Sequence, residues 1–314
     1  MQHIVNRALV VLAVLMGTTA CTTTRSDAAD PVTVFAAGSL ARPLRAALDS
    51  IAASGGPTAR MEIMGSREML RAITTLGRTP DLIVSADADE LERTLIPDFV
   101  HSSTTFARNR VVLALSPRSA NASTVTASNW ADRLALGDLH VARTDPARAP
   151  LGYRTQLVWQ LAEARLQRPG LAVRLAAASP DALLRGNESD LAALLESGDA
   201  DAAWCYESLA RSLHITFVAL GDSIDLGTDA DSLRYASASV RVPGTRPGDS
   251  VTMIGTPIRY AMAVAVKAPA LQRATGLRDR LLDAASRRIM RRIGLDVVDR
   301  PRVTTASGAP SVLR

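Results

Sequence analysis

The sequence holds two cysteines in 314 residues, Cys21 and Cys205. That is too few for a Cys-rich zinc site or a disulfide framework. Lysine is scarcer still: Lys267 is the only one, so the formal net charge of +5 rests on arginine. No basic run exceeds a pair or two, whereas a nucleic-acid binder concentrates its charge, so nucleic acid is not an expected partner. Past residue 21 no apolar segment reaches bilayer-spanning length. What is present is apolar material, 47% of residues against 21% charged. That supplies a packed core and excludes a largely disordered chain. The length exceeds the usual single-domain range and predicts two domains.

Residues 1–21 read MQHIVNRALVVLAVLMGTTAC. Arg7 precedes an apolar run from Ala8 to Met16, then the small residues 17–20, then Cys21. The pattern predicts a secretory signal whose run is too short to span a membrane. A cysteine directly after small residues resembles a bacterial lipobox, in which the thiol is lipidated, although Thr18 stands where leucine is usual. The alternative is an ordinary signal peptide with an incidental cysteine. On the lipobox reading residues 1–20 are removed, Cys21 carries the anchor, and residues 21–30 are a flexible polar tether. The mature protein is then expected in the periplasm or at the cell surface, held to the membrane.

From Pro31 short apolar runs alternate with helical stretches. VTVFAA (32–37), MEIM (61–64), DLIVSAD (81–87) and VVLALS (111–116) read as strands. LARPLRAALDSIAAS (40–54) and REMLRAITTLG (67–77) read as helices, with Pro43 tolerable in a first turn. This alternation predicts parallel α/β layers. The polar stretch 118–128 reads as the link into a second lobe. There LHVAR (139–143), AAWCY (202–206) and ITFVAL (215–220) are expected strands, around helices at 151–166 and 190–197. The Gly/Pro-rich segment 237–250 reads as a loop or hairpin, YAMAVAV (260–266) as a returning strand, and 270–286 and 287–294 as helices.

Two strands end in Gly-Ser with a helix beginning at once: Gly38-Ser39 and Gly65-Ser66. Glycine admits a ligand close to the backbone, a serine hydroxyl can donate to it, and the helix start points free N–H groups at the same place. Two such units at the carboxyl edge of one parallel sheet make an anion site. The alternative is that both serines are plain helix N-caps. Three histidines, His101, His140 and His214, show no metal-ligand spacing. No G-x-S-x-G elbow surrounds either serine, so no enzyme is expected.

VFAAGSL (34–40), the Gly-Ser of MGSREML (64–70), DLIVSAD (81–87), APLGYRTQLVWQLAE (149–163), ESDLAALLESG (188–198) and CYESLA (205–210) occur in that order. Together they resemble the periplasmic molybdate/tungstate-binding proteins of ABC importers, particularly the tungstate-type branch. The resemblance covers residues 32–266 and continues more loosely to about 296. It implies a two-lobed α/β fold of the type II periplasmic binding proteins, each lobe a mixed, mostly parallel sheet flanked by helices. The implied division is 31–115 for the first part of lobe one, 116–258 for lobe two, and 259–314 for the return to lobe one and the C-terminal helices.

The resemblance also implies a ligand set. Gly38 and Ser39 match the first anion loop, Ser66 the second, and Ala149, Pro150 and Leu151 the lobe-two loop that offers N–H groups at a helix start. Tyr206 matches a tyrosine donating to the oxyanion. Glu188 matches a carboxylate that ligates molybdenum or tungsten. The branch has a second carboxylate where this chain has Ala149. A core tyrosine at 206 and a helix-end charge at 188 remain the alternatives, and Arg154 is a further candidate anion partner. The expected function is a lipid-anchored, monomeric solute-binding protein that needs no cofactor. It captures molybdate or tungstate and presents it to a permease and ATPase. A phosphate or other oxyanion binder, or an anchored sensor on the same fold, is the alternative. A carboxylate beside the ligand disfavours sulfate, which has no proton to share.

Overall fold

The computed structural model describes residues 30–244, 248–307 and 311–312. Cys21, the expected signal segment and most of the tether lie outside these residues.

Strand β1, Val32–Ala37, is buried along nearly its whole length, as expected of a short apolar run inside a helix-covered sheet. It runs through the 3-10 turn Gly38–Leu40 into helix α1, Ala41–Ala53. There Pro43, Leu44, Ala47, Leu48 and Ile51 form one buried stripe at helical spacing. β2, Ala59–Met64, leads into α2, Ser66–Thr74, and β3, Leu82–Ser85, into α3, Ala88–Leu95. Then follow β4, Ser102–Arg108, and β5, Val111–Leu115.

The middle of the chain supplies α4, Trp130–Ala135, β6, Val141–Thr144, α5, Pro150–Leu166, and α6, Leu171–Ala177. β7, Leu184–Arg185, precedes α7, Glu188–Ser197, and β8, Ala202–Tyr206, precedes α8, Glu207–Ser212. After β9, Phe217–Ala219, and the single turn α9, Ser232–Tyr235, β10, Ser239–Pro243, and β11, Ser250–Ile254, form a hairpin. The chain ends through β12, Arg259–Val264, α10, Leu271–Leu281, α11, Ala284–Arg292, β13, Asp296–Thr305, and β14, Ser311–Val312.

Two sheets result. The larger has the order β14-β13-β4-β12-β3-β1-β2 and the smaller β7-β6-β8-β5-β9. Both are mixed. In the larger, β12 and β13 oppose the other five strands, and in the smaller β5 alone opposes the rest. Trp204 of β8 meets Trp130 and Trp159 edge-on at 5.9 and 6.1 Å in the core of the smaller lobe. The fold class is the expected two-lobed mixed α/β architecture.

The path between the sheets differs from the expected one. β5 pairs with β8 and β9, so residues 111–115, assigned to lobe one by sequence, lie in the smaller sheet. The crossing is made by Asn109 and Arg110 alone, between β4 and β5. The polar stretch 118–128 lies wholly beyond it. A two-residue crossing carries no change of composition, whereas the surface segment does. At the other end the expected break between the last helices falls earlier, because the Asp283 side chain accepts from Ser286 N–H and caps α11.

Candidate functional site

In both sheets the helix-bearing turns leave from the carboxyl edges of the strands, and these two edges face each other. From the larger sheet come Gly38-Ser39 after β1, Gly65-Ser66 after β2 and Ala86-Asp87 after β3. From the smaller come residues 145–149 after β6, Gly186-Asn187 after β7 and Tyr206 ending β8. The edges touch. Glu68 N–H donates to Arg148 O at 3.1 Å, and Ser189 Oγ–H to Gly38 O at 3.3 Å. A Cβ on Gly65 would lie 2.2 Å from Arg148 O, and one on Gly38 would lie 2.8 Å from Glu188 Oε2. Neither turn has room for a side chain, which is why both are glycine.

Neither serine caps its helix. The cap positions are Ala37 for the first turn, Leu40 for α1 and Gly65 for α2, none with a side-chain cap bond. Both hydroxyls are instead buried acceptors: Ser66 Oγ takes Ala86 N–H at 3.0 Å, and Ser39 Oγ takes the Tyr260 hydroxyl at 2.8 Å. The direction of the second bond is fixed by its neighbours. Asn109 Oδ1 accepts from the N–H groups of Arg110 and Ser208, so its Nδ2 is the edge that donates to Tyr260 Oη at 2.7 Å. Tyr260 must then give its own proton to Ser39. Tyr206 Oη likewise accepts, from Arg154 Nη1 at 2.6 Å. All three hydroxyls therefore keep a hydrogen for which the described residues show no acceptor.

Contacts join these groups into a ring. Tyr206 and Tyr260 meet edge-on at 5.9 Å. Arg154 Nη1 also donates to Ala86 O at 2.7 Å, and its Nη2 lies 3.4 Å from Asp87 Oδ2, which also accepts from the Tyr153 hydroxyl. The guanidinium, buried and satisfied by protein acceptors, is thus a brace for Tyr206. At the start of α5, Pro150 occupies N1, where a missing N–H costs nothing, and Ala149 is the N-cap. First-turn N–H groups such as that of Leu151 have no intrahelical acceptor.

Glu188 opens α7 but does not cap it, since Asn187 Oδ1 accepts from the N–H groups of Ser189 and Asp190. Its side chain is 1% exposed, and neither carboxyl oxygen has a hydrogen-bond partner. Burial pushes its pKa up to about 7, opposed by its own N–H, by Arg154 and by Ser39 N–H. Burial likewise raises the Tyr206 hydroxyl. It pushes the Cys205 thiol, one residue away in β8, up to about 12, so that thiol behaves as a small buried hydrophobe.

Gly38, Ser39, Ser66, Ala149, Pro150, Leu151, Glu188 and Tyr206 are thus gathered where the two edges meet. Sequence reasoning missed Asn109, Tyr260, Asp87 and Tyr153, and it named Arg154 as a candidate anion partner where the structure has its guanidinium bracing Tyr206. Tyr260 sits in an apolar strand and nothing in its neighbourhood separates it from a core tyrosine. Asn109 could be found only by knowing that the crossing falls there.

The family model described as bacterial extracellular solute-binding protein matches residues 32–296. An uncharacterized solute-binding protein from Petrotoga mobilis is 34% identical over 290 residues, spanning 92% of this chain and 90% of its own. A provisionally named ABC transporter molybdenum-binding protein from Haloferax volcanii is 34% identical over 242 residues, 76% of this chain and 73% of its own. Among solved structures, the sulfate-binding protein SubI of Mycobacterium tuberculosis aligns at TM-score 0.60 and 13% identity, covering 86% of this chain and 88% of that one. The periplasmic molybdate-binding protein of Azotobacter vinelandii aligns at TM-score 0.59 and 16% identity, covering 85% and 100%. The two structures share the fold.

Proposed function

The chain belongs to the bacterial extracellular solute-binding proteins, which bind solutes and are not enzymes, and from that premise we propose that it captures molybdate or tungstate for an ABC importer. One observation carries the reading: three buried hydroxyls, Ser39, Ser66 and Tyr206, each accept a protein hydrogen bond and each retain a proton to donate. Such a set suits a ligand made only of acceptors, a fully unprotonated oxyanion. First-turn N–H groups of α5 add donors without a formal charge.

Glu188 narrows the class. An ionised carboxylate repels a dianion at a few ångströms by about 4 kcal/mol at an effective dielectric near 20. A ligand that tolerates it must either bond to the carboxylate or take its proton. Molybdenum and tungsten can accept a further oxygen ligand, and a protonated Glu188 can donate to an oxo group. Sulfate cannot take the first route and is repelled by a charged carboxylate, so it could enter only where Glu188 stays protonated. The molybdenum named for the Haloferax relative points the same way. The small residues before Cys21 support the accompanying proposal that the protein is held to the membrane by a lipid on that thiol.

Calorimetric titration of the protein with molybdate, tungstate, sulfate and phosphate tests the assignment. Tight binding of the first two, at least tenfold stronger than of phosphate or sulfate, is expected. Preference for phosphate or sulfate would overturn it.

A further inference from the structure

Arg42 and Arg45 of α1, Arg292 of α11, Arg211 of α8 and the imidazole of His214 line one cavity of about 500 Å³, with Asp49 as its acidic member. The cavity is bounded from both sides of the molecule, since α1 and α11 pack with the larger sheet and α8 follows the smaller. Arg211 is held by Glu207 at 2.5 Å. Arg42, Arg45 and Arg292 are exposed and make no hydrogen bond or ion pair among the described residues. Elsewhere some exposed arginines, such as Arg78 and Arg168, are paired with carboxylates, while others, such as Arg165 and Arg174, are unpaired among the described residues but line neither this cavity nor the one beyond it.

The cavity leads somewhere. Ala41, Arg42 and Ser212 also line a second cavity, of about 260 Å³, whose wall includes Gly38 and Ser39 on one side and Ser189 and the acidic Glu196 of α7 on the other. The two form a lateral groove that starts among uncompensated guanidinium groups and ends at the first Gly-Ser turn.

We propose that this groove is the route by which the anionic solute reaches the site, and that its unpaired arginines act as an electrostatic collector. The inference rests on the ligand being an oxyanion. Mobile, unpaired surface cations make a weak fixed binding site but an effective steering field, because a cleft with low-dielectric walls focuses potential along its length. The field acts on encounter and not on the final complex, in which the anion is held by the hydroxyls and N–H groups beyond the groove.

The test is stopped-flow tryptophan fluorescence with molybdate as the probe, across a range of ionic strength. Two charge-reversed doubles are compared with the unaltered protein: Arg42→Glu/Arg45→Glu within the groove, and Arg165→Glu/Arg174→Glu on exposed positions that line neither cavity. Both lower the net charge by four. The groove double is expected to associate about tenfold more slowly at low salt and to approach the unaltered protein at high salt, where the Debye length shrinks. Its dissociation rate should not change, and the control double should lose less than threefold. Arg292→Glu serves as a second groove variant should the double melt at a markedly lower temperature. Equal slowing in both doubles, no slowing in the groove variants, or a change confined to dissociation would overturn the collector while leaving the oxyanion reading intact. Failure of the unaltered protein to bind molybdate would overturn both.

Discussion

Ionising Glu188 places a fully buried charge where neither oxygen makes a well-formed hydrogen bond, and burial outweighs the nearby N–H groups of Glu188 and Ser39 and the Arg154 charge, raising its pKa from 4.5 to about 7. Because the folded value is the higher one, the neutral group's contribution to stability is complete below about pH 4.5 and is lost as pH rises through 7. The difference corresponds to about 3 kcal/mol. Glu188→Gln, which keeps the shape and cannot ionise, is therefore expected to melt close to the unaltered protein at pH 4.5 and several degrees above it at pH 8. Melting curves across that range check the claim, and a pH-independent offset would refute it. The same proton reads the binding mode. If the carboxylate ligates the metal, the group must first lose its proton, so oxyanion affinity rises with pH up to about 7. If the protonated group donates to an oxo atom, affinity is level below about pH 7 and falls above it. Ala149, where a second carboxylate would stand, favours the second outcome, since one carboxylate leaves a six-coordinate shell incomplete.

At the level of elements, α2 bonds across the cleft to the backbone of residues 146–148, and Gly65 is what lets it come that close. A Cβ there would collide with Arg148 O at 2.2 Å, a backbone atom that cannot step aside. Gly65→Ala should cost the α2 terminus about 1 kcal/mol as a poorer N-cap. Its effect on oxyanion affinity should be larger, more than tenfold, because the edges can no longer meet. Melting and titration of the one variant separate the two effects, and unchanged affinity would show that closure does not need this contact. The two Gly-Ser turns were legible because a period-two apolar run, a small dipeptide and a helical pattern adjoin there without interruption. β4 was not, since SSTTFAR reads as a polar surface segment although five of its residues are buried. Its serines and threonines sit inside because partners flank it on both sides. β13 was missed for a different reason. Pro301 interrupts it at an irregularity in the ladder between Val297 and Arg302, and proline inside a run argues against a strand. Missing β4 hid the crossing, and with it Asn109.

At the scale of the whole molecule, what holds the lobes together is partly independent of any solute. Arg67 of α2 is 2% exposed and spends its guanidinium three ways: Nε to Glu90 Oε1 at 2.8 Å within its own lobe, Nη1 to Pro146 O at 2.8 Å, and Nη2 to Pro243 O at 2.7 Å. Pro146 precedes α5 of the other lobe and Pro243 ends the first strand of the hairpin, so one side chain ties three parts of the fold. Glu90 is the weak member. Burial raises its pKa, Asp87 adds to the rise and Arg67 opposes it, while its Oε2 has no partner. Removing Arg67 alone would strand that carboxylate at a cost of about 3–5 kcal/mol and confound folding with closure. Arg67→Met with Glu90→Gln removes both charges and retains the volume; it deletes the two bonds that cross between the parts together with the Arg67–Glu90 bond inside the lobe, without stranding a buried charge. The double variant is expected to fold, with melting within a few degrees of the parent. Without ligand its equilibrium should shift toward an open form, visible as a larger radius of gyration in small-angle scattering. Saturating molybdate should restore the compact value, because a ligand held from both lobes favours the closed state by its differential affinity. Its affinity should fall by more than a hundredfold if both bonds count in full, each hydrogen bond from a charged donor being worth about 1.5–3 kcal/mol. A radius identical to the parent's in the absence of ligand would mean that Arg67 only packs α2 against its own lobe.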